Sequence, residues 1–189
     1  MGDEFAEVLA AAQGGCEDSF AVLWRDANPS LLRYLRVHAP DGAEDIAGET
    51  WVQVVRGLPA FTGDEAAWRA WLFTTARRRL LDQARFRRRH PTEPLDDIGA
   101  AAVPAAADTE QIVLENIATE AALALLSRLP VQQAEVIMLR VLAGLDTEVV
   151  AEMLGRSPGA VRVAAHRGLK KLAAILNRTG TTSRAGVTL

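Results

Sequence analysis

The chain has one cysteine, three histidines and one tyrosine among its 189 residues. A lone Cys16 excludes an intrachain disulfide and suits a reducing, cytoplasmic setting. His38, His90 and His166 are scattered, and beside a single thiol they offer no ligand spacing, so no metal is expected. No apolar run approaches the roughly 20 residues that cross a bilayer, because charges or turn residues interrupt each one. The N-terminus carries Asp3, Glu4 and Glu7 where a secretory signal would have a basic flank and an apolar core. Strand-like alternation is missing, and no internal repeat stands out. What remains is a chain 49% hydrophobic, enough to build real cores in one domain or two small ones.

A net charge of −3 conceals strong segregation. Residues 1–60 hold four basic residues against ten acids, and residues 61–91 hold eight against three. Residues 92–129 hold one against seven, and residues 130–189 hold eight against four. Two basic blocks separated by acidic ones suggest two nucleic-acid contacts and an acidic surface with another purpose. Charge mixing on an ordinary soluble surface is the plainer alternative.

The most informative stretch runs from Arg156 to Leu172. Ser157 and Pro158 make a helix start, a hydroxyl cap followed by a residue pre-set to helical φ. Val161, Ala165, Leu169 and Leu172 then recur as an apolar stripe. The other face carries Arg162, His166, Arg167 and Lys170, with Gly159 and Val163 among them. Upstream, Asp146 is placed to cap a short helix containing Val149, Val150, Met153 and Leu154, which Gly155 ends. This pattern predicts a helix-turn-helix whose second helix suits a DNA major groove. A pair of core helices with a solvated basic face would read similarly.

Taken in order, residues 3–14 predict a first helix with Phe5, Val8 and Leu9 inside, and Gly14-Gly15 stopping it. A second, from Asp18, is expected to close before Pro29, and a third to run from Asn28 or Ser30 to Pro40. The segment Asp41 to Leu58 predicts a helix with Ile46, Val52 and Val55 toward a core and Glu44, Asp45 and Glu49 outside. Gly48 within it costs about 1 kcal/mol relative to Ala. After the turn Phe61-Thr62-Gly63, a long helix is predicted from about Asp64 to Arg89. Aromatics Trp68, Trp71 and Phe73 followed by Arg77, Arg78, Arg79, Arg85, Arg87, Arg88 and Arg89 would suit a DNA strand, with rings to stack bases and cations for phosphates, although core is the plainer reading of each ring, as of Leu72. Asp82 shares that face with Arg78, Arg85 and Arg89 and can pair with Arg78 or Arg85.

From His90 to Thr109 prolines, alanines and acids predict a flexible linker. A further helix to Leu129 carries Leu114, Ile117, Ala121, Leu125 and Leu126, and another after Pro130 carries Ala134, Ile137, Met138 and Val141 to Gly144. Beyond Asn177 the tail lacks periodicity and is expected to be disordered. The fold class is therefore all-α, two small helical domains joined by a linker, the second a four-helix unit ending in the helix-turn-helix.

The order of these parts resembles a family, the extracytoplasmic-function (ECF) sigma factors of bacterial RNA polymerase, over nearly the whole chain. Glu44-Asp45-Ile46-Ala47-Gly48-Glu49-Thr50 resembles the region 2 segment that docks on the β′ clamp helices, although the family's usual glutamine is Gly48 here. Phe61-Thr62-Gly63, then Trp71 to Arg78, then Leu81-Asp82 and the arginine cluster, resembles the segments that open and read the minus-ten element. Arg78 stands where an asparagine is frequent. Gly144-Leu145 through Leu154-Gly155, with Ser157 to Arg162 and His166-Arg167, is similar to the region 4 helix-turn-helix that reads the minus-thirty-five element. Val163 replaces a small polar or basic residue there and is suited to a thymine methyl.

The resemblance implies region 2 over residues 1–91, a linker over 92–110, region 4 over 111–178 and a tail over 179–189. It implies a promoter-specificity subunit that binds core polymerase through Asp45, Glu49 and Thr50 and through the β flap. Phe61, Arg77, Arg78, Arg85, Arg88 and Arg89 would contact the melted minus-ten strand. Ser157, Gly159, Arg162, Val163, His166, Arg167 and Lys170 would contact double-stranded minus-thirty-five DNA. An anti-sigma factor is an implied partner. No cofactor, metal, catalytic residue, membrane insertion or small-molecule substrate is expected. Two other readings stay open from the residues alone. One is a stand-alone helix-turn-helix regulator, and the other a helical enzyme using His38 or His90.

Overall fold

In a computed structural model, residues 2–89 and 121–184 are described, with side chains through residue 178 except that of Asp3. Among the described residues every regular element is helical. The linker expected at 92–110, the residues His90, Leu114 and Ile117, and tail residues 185–189 lie outside them.

Helix α1 (Phe5–Gln13) buries Phe5, Leu9 and Ala12, with a 310 turn at Gly2–Glu4 before it. Helix α2 (Glu17–His38) continues straight through Pro29, contrary to the two helices expected there. Proline removes a ladder hydrogen bond and crowds the preceding turn, at about 3 kcal/mol or more. Pro29 and Arg25 lie on the exposed side, so the freed carbonyl faces water. The opposite side carries an unbroken stripe of Leu23, Ala27, Leu31, Tyr34 and Leu35, each at most 1% exposed. At roughly 1.5–3 kcal/mol per large apolar side chain, that burial outweighs the proline.

A 310 turn at Pro40–Gly42 leads into α3 (Ala43–Gly57), and a second at Leu58–Ala60 leads toward α4 (Glu65–Arg89). Asp64 caps α4, its carboxylate accepting the Ala67 N–H at 2.8 Å. In α3 the expected core positions Val52 and Val55 are instead half exposed, and Ile46, Ala47, Thr50, Trp51 and Val54 face inward. Trp68 of α4 is fully buried between α3 and the Phe61 turn, and Leu72, Phe73 and Ala76 continue its inner stripe.

Helical residues 121–126 (α5) are followed by α6 (Val131–Ile137), a π turn over Met138–Leu142, α7 (Thr147–Leu154) and α8 (Pro158–Arg184). The π turn widens the ladder, with the Ala143 N–H bonded to the Met138 carbonyl and that of Leu145 to Leu139. It keeps Met138 and Leu139 buried but turns Val141 outward, 72% exposed, where the periodicity placed it in the core. Helix α8 extends to Arg184, past Asn177 where the sequence pattern lapses. Once a helix exists, each added residue gains a hydrogen bond without a new nucleation cost.

Candidate nucleic-acid and polymerase interfaces

The helix-turn-helix is built from local signals. Gly155 ends α7 in the left-handed region, at φ 63°, and the following Arg156 N–H bonds back to the Ala151 carbonyl at 2.8 Å. Ser157 caps α8, its hydroxyl accepting the Ala160 N–H at 3.2 Å. Asp146 occupies the N-cap position of α7 but makes no side-chain cap bond, correcting the expected cap. Its carboxylate lies 3.7 Å from Arg140, and its carbonyl takes the Val150 N–H.

Val161, 1% exposed, and Ile175 pin α8 to the body of the unit. Between them Gly168 lets α8 meet α6 closely, since a Cβ there would stand 2.6 Å from Ile137 Cδ1 and 3.2 Å from Gln133 Cβ. Leu169, expected in the apolar stripe, is 51% exposed, because Gly168 and Leu172 face the body of the unit instead. The outer face presents Arg162, Val163, His166, Arg167 and Lys170 to solvent, with Ser157 and Gly159 at its leading end. Arg162 donates to Glu148 of α7 at 3.0 Å. Both side chains are about two-thirds exposed, so the pair is weak and can be exchanged for a phosphate or base.

The second site lies between α3 and α4. The rings of Phe61 and Trp71 stack with centroids 5.1 Å apart and planes 15° off parallel. Gly57 makes room for this arrangement, because a Cβ there would meet the Trp71 ring at 2.7 Å. Beside the ring opens a cleft of about 490 Å³ lined by Gln53, Arg56, Trp71, Thr75, Arg78 and Arg79. An aromatic wall with guanidinium groups around it can hold a flat heterocycle and its phosphate. Farther along α4, Arg85, Arg88 and Arg89 are exposed, Arg85 paired with Asp82 at 3.1 Å as the spacing predicted. Arg77 differs from its neighbours: its Nε donates to Glu135 of α6 at 2.8 Å, and it is only 24% exposed.

The third surface is the outer side of α3. Asp45 and Glu49 are exposed there, with Gly48 open between them. Thr50 is not part of it. The residue is fully buried and its hydroxyl donates to the Ile46 carbonyl at 2.7 Å, which takes it off this exposed face. At 100° per residue it lies about 140° around the helix from Asp45, whereas Val52 lies within about 20°. Val52 and the half-exposed Val55 were missed as surface residues, though counting from Asp45 instead of Ile46 would have found Val52. Glu44, next to this face, bonds Arg36 at 2.9 Å, and that guanidinium holds its carboxyl below the usual carboxylate range.

The remaining expectations concern absences and the thiol. Among the described residues no group of His, Cys, Asp and Glu is placed to hold a metal ion, and no helix is long and apolar enough to cross a membrane. Cys16 is exposed, and the hydrogen bond from the Ser19 hydroxyl, at 3.3 Å, lowers its thiol pKa.

The family model described as Sigma-70 region 2 matches residues 23–90, and that described as Sigma-70, region 4 matches residues 119–172. The chain is 34% identical to the ECF RNA polymerase sigma factor ShbA of Streptomyces griseus, over 90% of this chain and 93% of that protein. It is 33% identical to the ECF RNA polymerase sigma factor BldN of Streptomyces coelicolor, over 90% of this chain but 65% of BldN. Among solved structures, CnrH in complex with the cytosolic domain of CnrY matches 93% of this chain and 99% of its own, with a TM-score of 0.62 at 24% identity. The sigma factor RpoE from Bartonella quintana, in complex with the anti-sigma factor NepR, matches 84% of this chain and 96% of its own, with a TM-score of 0.58 at 21% identity. The region 2 and region 4 matches, in that order, and the likeness to ShbA along almost its full length show that the chain belongs to the ECF sigma factors of RNA polymerase.

Proposed function

We propose that this chain directs transcription initiation in the cytoplasm as a promoter-specificity subunit, with region 2 over residues 1–91, a connecting segment over 92–110 and region 4 over 111–178. The observation that carries the reading is the coexistence of a capped helix with a basic, solvent-facing side and a separate arginine-lined cleft walled by Trp71. One site suits double-stranded DNA and the other a single strand.

In region 4, α8 enters the major groove with Arg162 and Arg167 as the principal donors, and His166 and Lys170 toward phosphates. A bidentate Arg–guanine contact discriminates by about 1–3 kcal/mol. Val163 adds an apolar contact suited to a thymine methyl. In region 2, an unstacked minus-ten base enters the cleft beside Trp71, backed by Phe61, while Arg78, Arg85, Arg88 and Arg89 track the strand. Extruding a base costs a few kcal/mol, which stacking and charge contacts in the cleft offset. Asp45 and Glu49, with Val52 beside them, dock on the β′ clamp helices, and region 4 meets the β flap. RNA synthesis belongs to the polymerase; this chain positions and melts DNA. An anti-sigma factor is a further expected partner.

The test is core-polymerase binding by the native chain and by the variant carrying Asp45→Ala and Glu49→Ala. The native chain is expected to bind core, and the double variant to lose most of that affinity while keeping its helical content. Equal affinity of the two proteins would contradict the docking surface.

A further inference from the structure

The row of α4 side chains that lines the Trp71 cleft continues beyond it. Thr75, Arg79 and Asp82 line the cleft at positions i, i+4 and i+7, and the next member of that row, at i+11, is Phe86. At 100° per residue these four side chains fall within about 60° of one another, and Trp71 lies within about 60° of Phe86. At 1.5 Å per residue the two rings are about 22 Å apart along the helix.

Phe86 belongs to neither buried cluster of the described residues, and it is 63% exposed. Polar side chains take the inner side of α4 at this end, where a Cβ on Gly42 would stand 3.0 Å from Arg87 Nη2 and 3.1 Å from Gln83 Nε2. Arg85, Arg88 and Arg89, all exposed, flank the ring. An aromatic face held at the surface among guanidinium groups offers stacking to a base while the cations meet its phosphates. Duplex DNA keeps its base faces covered by their neighbours, so such a ring addresses a separated strand.

We propose that Phe86 is a second base-stacking station, so that the strand held beside Trp71 runs along the arginines of α4 and stacks another base on Phe86. The inference rests on the assignment of α4 as the strand-reading helix. A stacked strand rises about 3.4 Å per nucleotide and an unstacked one more, so at most about six nucleotides bridge the two rings. Two stations joined by that length of strand reinforce one another, because a base seated at one raises the effective concentration of strand at the other. The contact fixes where the strand lies without reading its sequence, since every base has a π face.

The test uses the full chain joined to core polymerase and a mixed-sequence single strand of about 12 nucleotides, twice the span between the rings. The strand carries iodouracil, which crosslinks to stacked aromatics under light, and only crosslinks to this chain are read. A crosslink at Phe86 is expected. Phe86→Ala should abolish it and raise about five- to tenfold the strand concentration that half-saturates crosslinking elsewhere on the chain. Phe86→Trp should keep the native value, while Phe86→Leu, apolar but without a flat ring, should behave like Phe86→Ala. The salt slope of Phe86→Ala should match that of the native chain, because no phosphate contact is lost. No crosslink at Phe86, native half-saturation in Phe86→Ala, or equal recovery by Leu and Trp would overturn the proposal. Arg85→Ala with Arg88→Ala separates the two claims. If that variant needs more strand and Phe86→Ala does not, the stacking station alone fails; if neither does, the assignment of α4 fails with it.

Discussion

Thr50 shows how one residue's surroundings decide its role. It sits close to acids in the sequence, yet it is fully buried and commits its hydroxyl to the Ile46 carbonyl. Such a bond, made back to its own helix, contributes little beyond about 1 kcal/mol. Thr50→Val should accordingly change unfolding stability by less than about 1 kcal/mol in a denaturant titration and leave core-polymerase affinity unchanged. A large loss of affinity in that variant would return Thr50 to the docking surface. His38 gives a pH dependence of definite sign. Burial lowers its pKa first, Glu135 raises it in part, and Arg77 lowers it again. The unfolded chain, with His38 near its ordinary value of about 6.5, binds the proton more readily. Stability is thus fullest above neutrality and declines as pH falls below that value. Urea titrations from about pH 7.5 to about 5.5 should show this decline, and His38→Leu should flatten it; an unchanged slope would exclude His38 as its source.

Among the helices, legibility depended on whether local chemistry or tertiary packing made the decision. The turn before α8 was readable because Gly155, Ser157 and Pro158 each act within a few residues of themselves. The long basic helix was readable for the same reason, down to the Asp82–Arg85 pair. Pro29 misled because its penalty is local, whereas the stripe of Leu23, Leu31 and Leu35 that overrides it packs across the whole unit. Val141 misled because a π turn shifts the helical phase, and nothing in the pattern around Met138 announces that shift. Gly57's part in shaping the Trp71 cleft was hidden for a further reason: the two residues are far apart in sequence, and they meet only once α3 and α4 pack. Gly57→Ala should push the indole off the Phe61 ring, destabilise the protein by about 1–3 kcal/mol and weaken single-strand binding. Retention of both stability and binding would show that the stacked pair is not needed to shape the cleft.

For the molecule as a whole, charge distribution matters more than net charge. The chain totals −3, yet exposed arginines gather on α4 and α8 and exposed acids on α3, with Glu135 and Glu152 placed between the units. With α4 and α8 as the proposed DNA surfaces and α3 as the proposed protein surface, this segregation would let them work together without indiscriminate binding. Each phosphate that is no longer neutralised should reduce the slope of log affinity against log salt by about 0.7 for single strands and about 0.9 for duplex. Arg85→Ala with Arg88→Ala should therefore reduce the salt dependence of open-complex formation while leaving core binding intact. An unaltered slope would remove those residues from the strand path.

Promoter specificity is tested most directly by run-off transcription with purified core polymerase on fragmented genomic DNA, with and without this chain. New start sites that share two spaced upstream elements are expected, and they should disappear with Arg162→Ala plus Arg167→Ala although that variant still binds core. No new transcripts together with no core binding would contradict a promoter-specificity subunit and favour a regulator that acts on DNA alone.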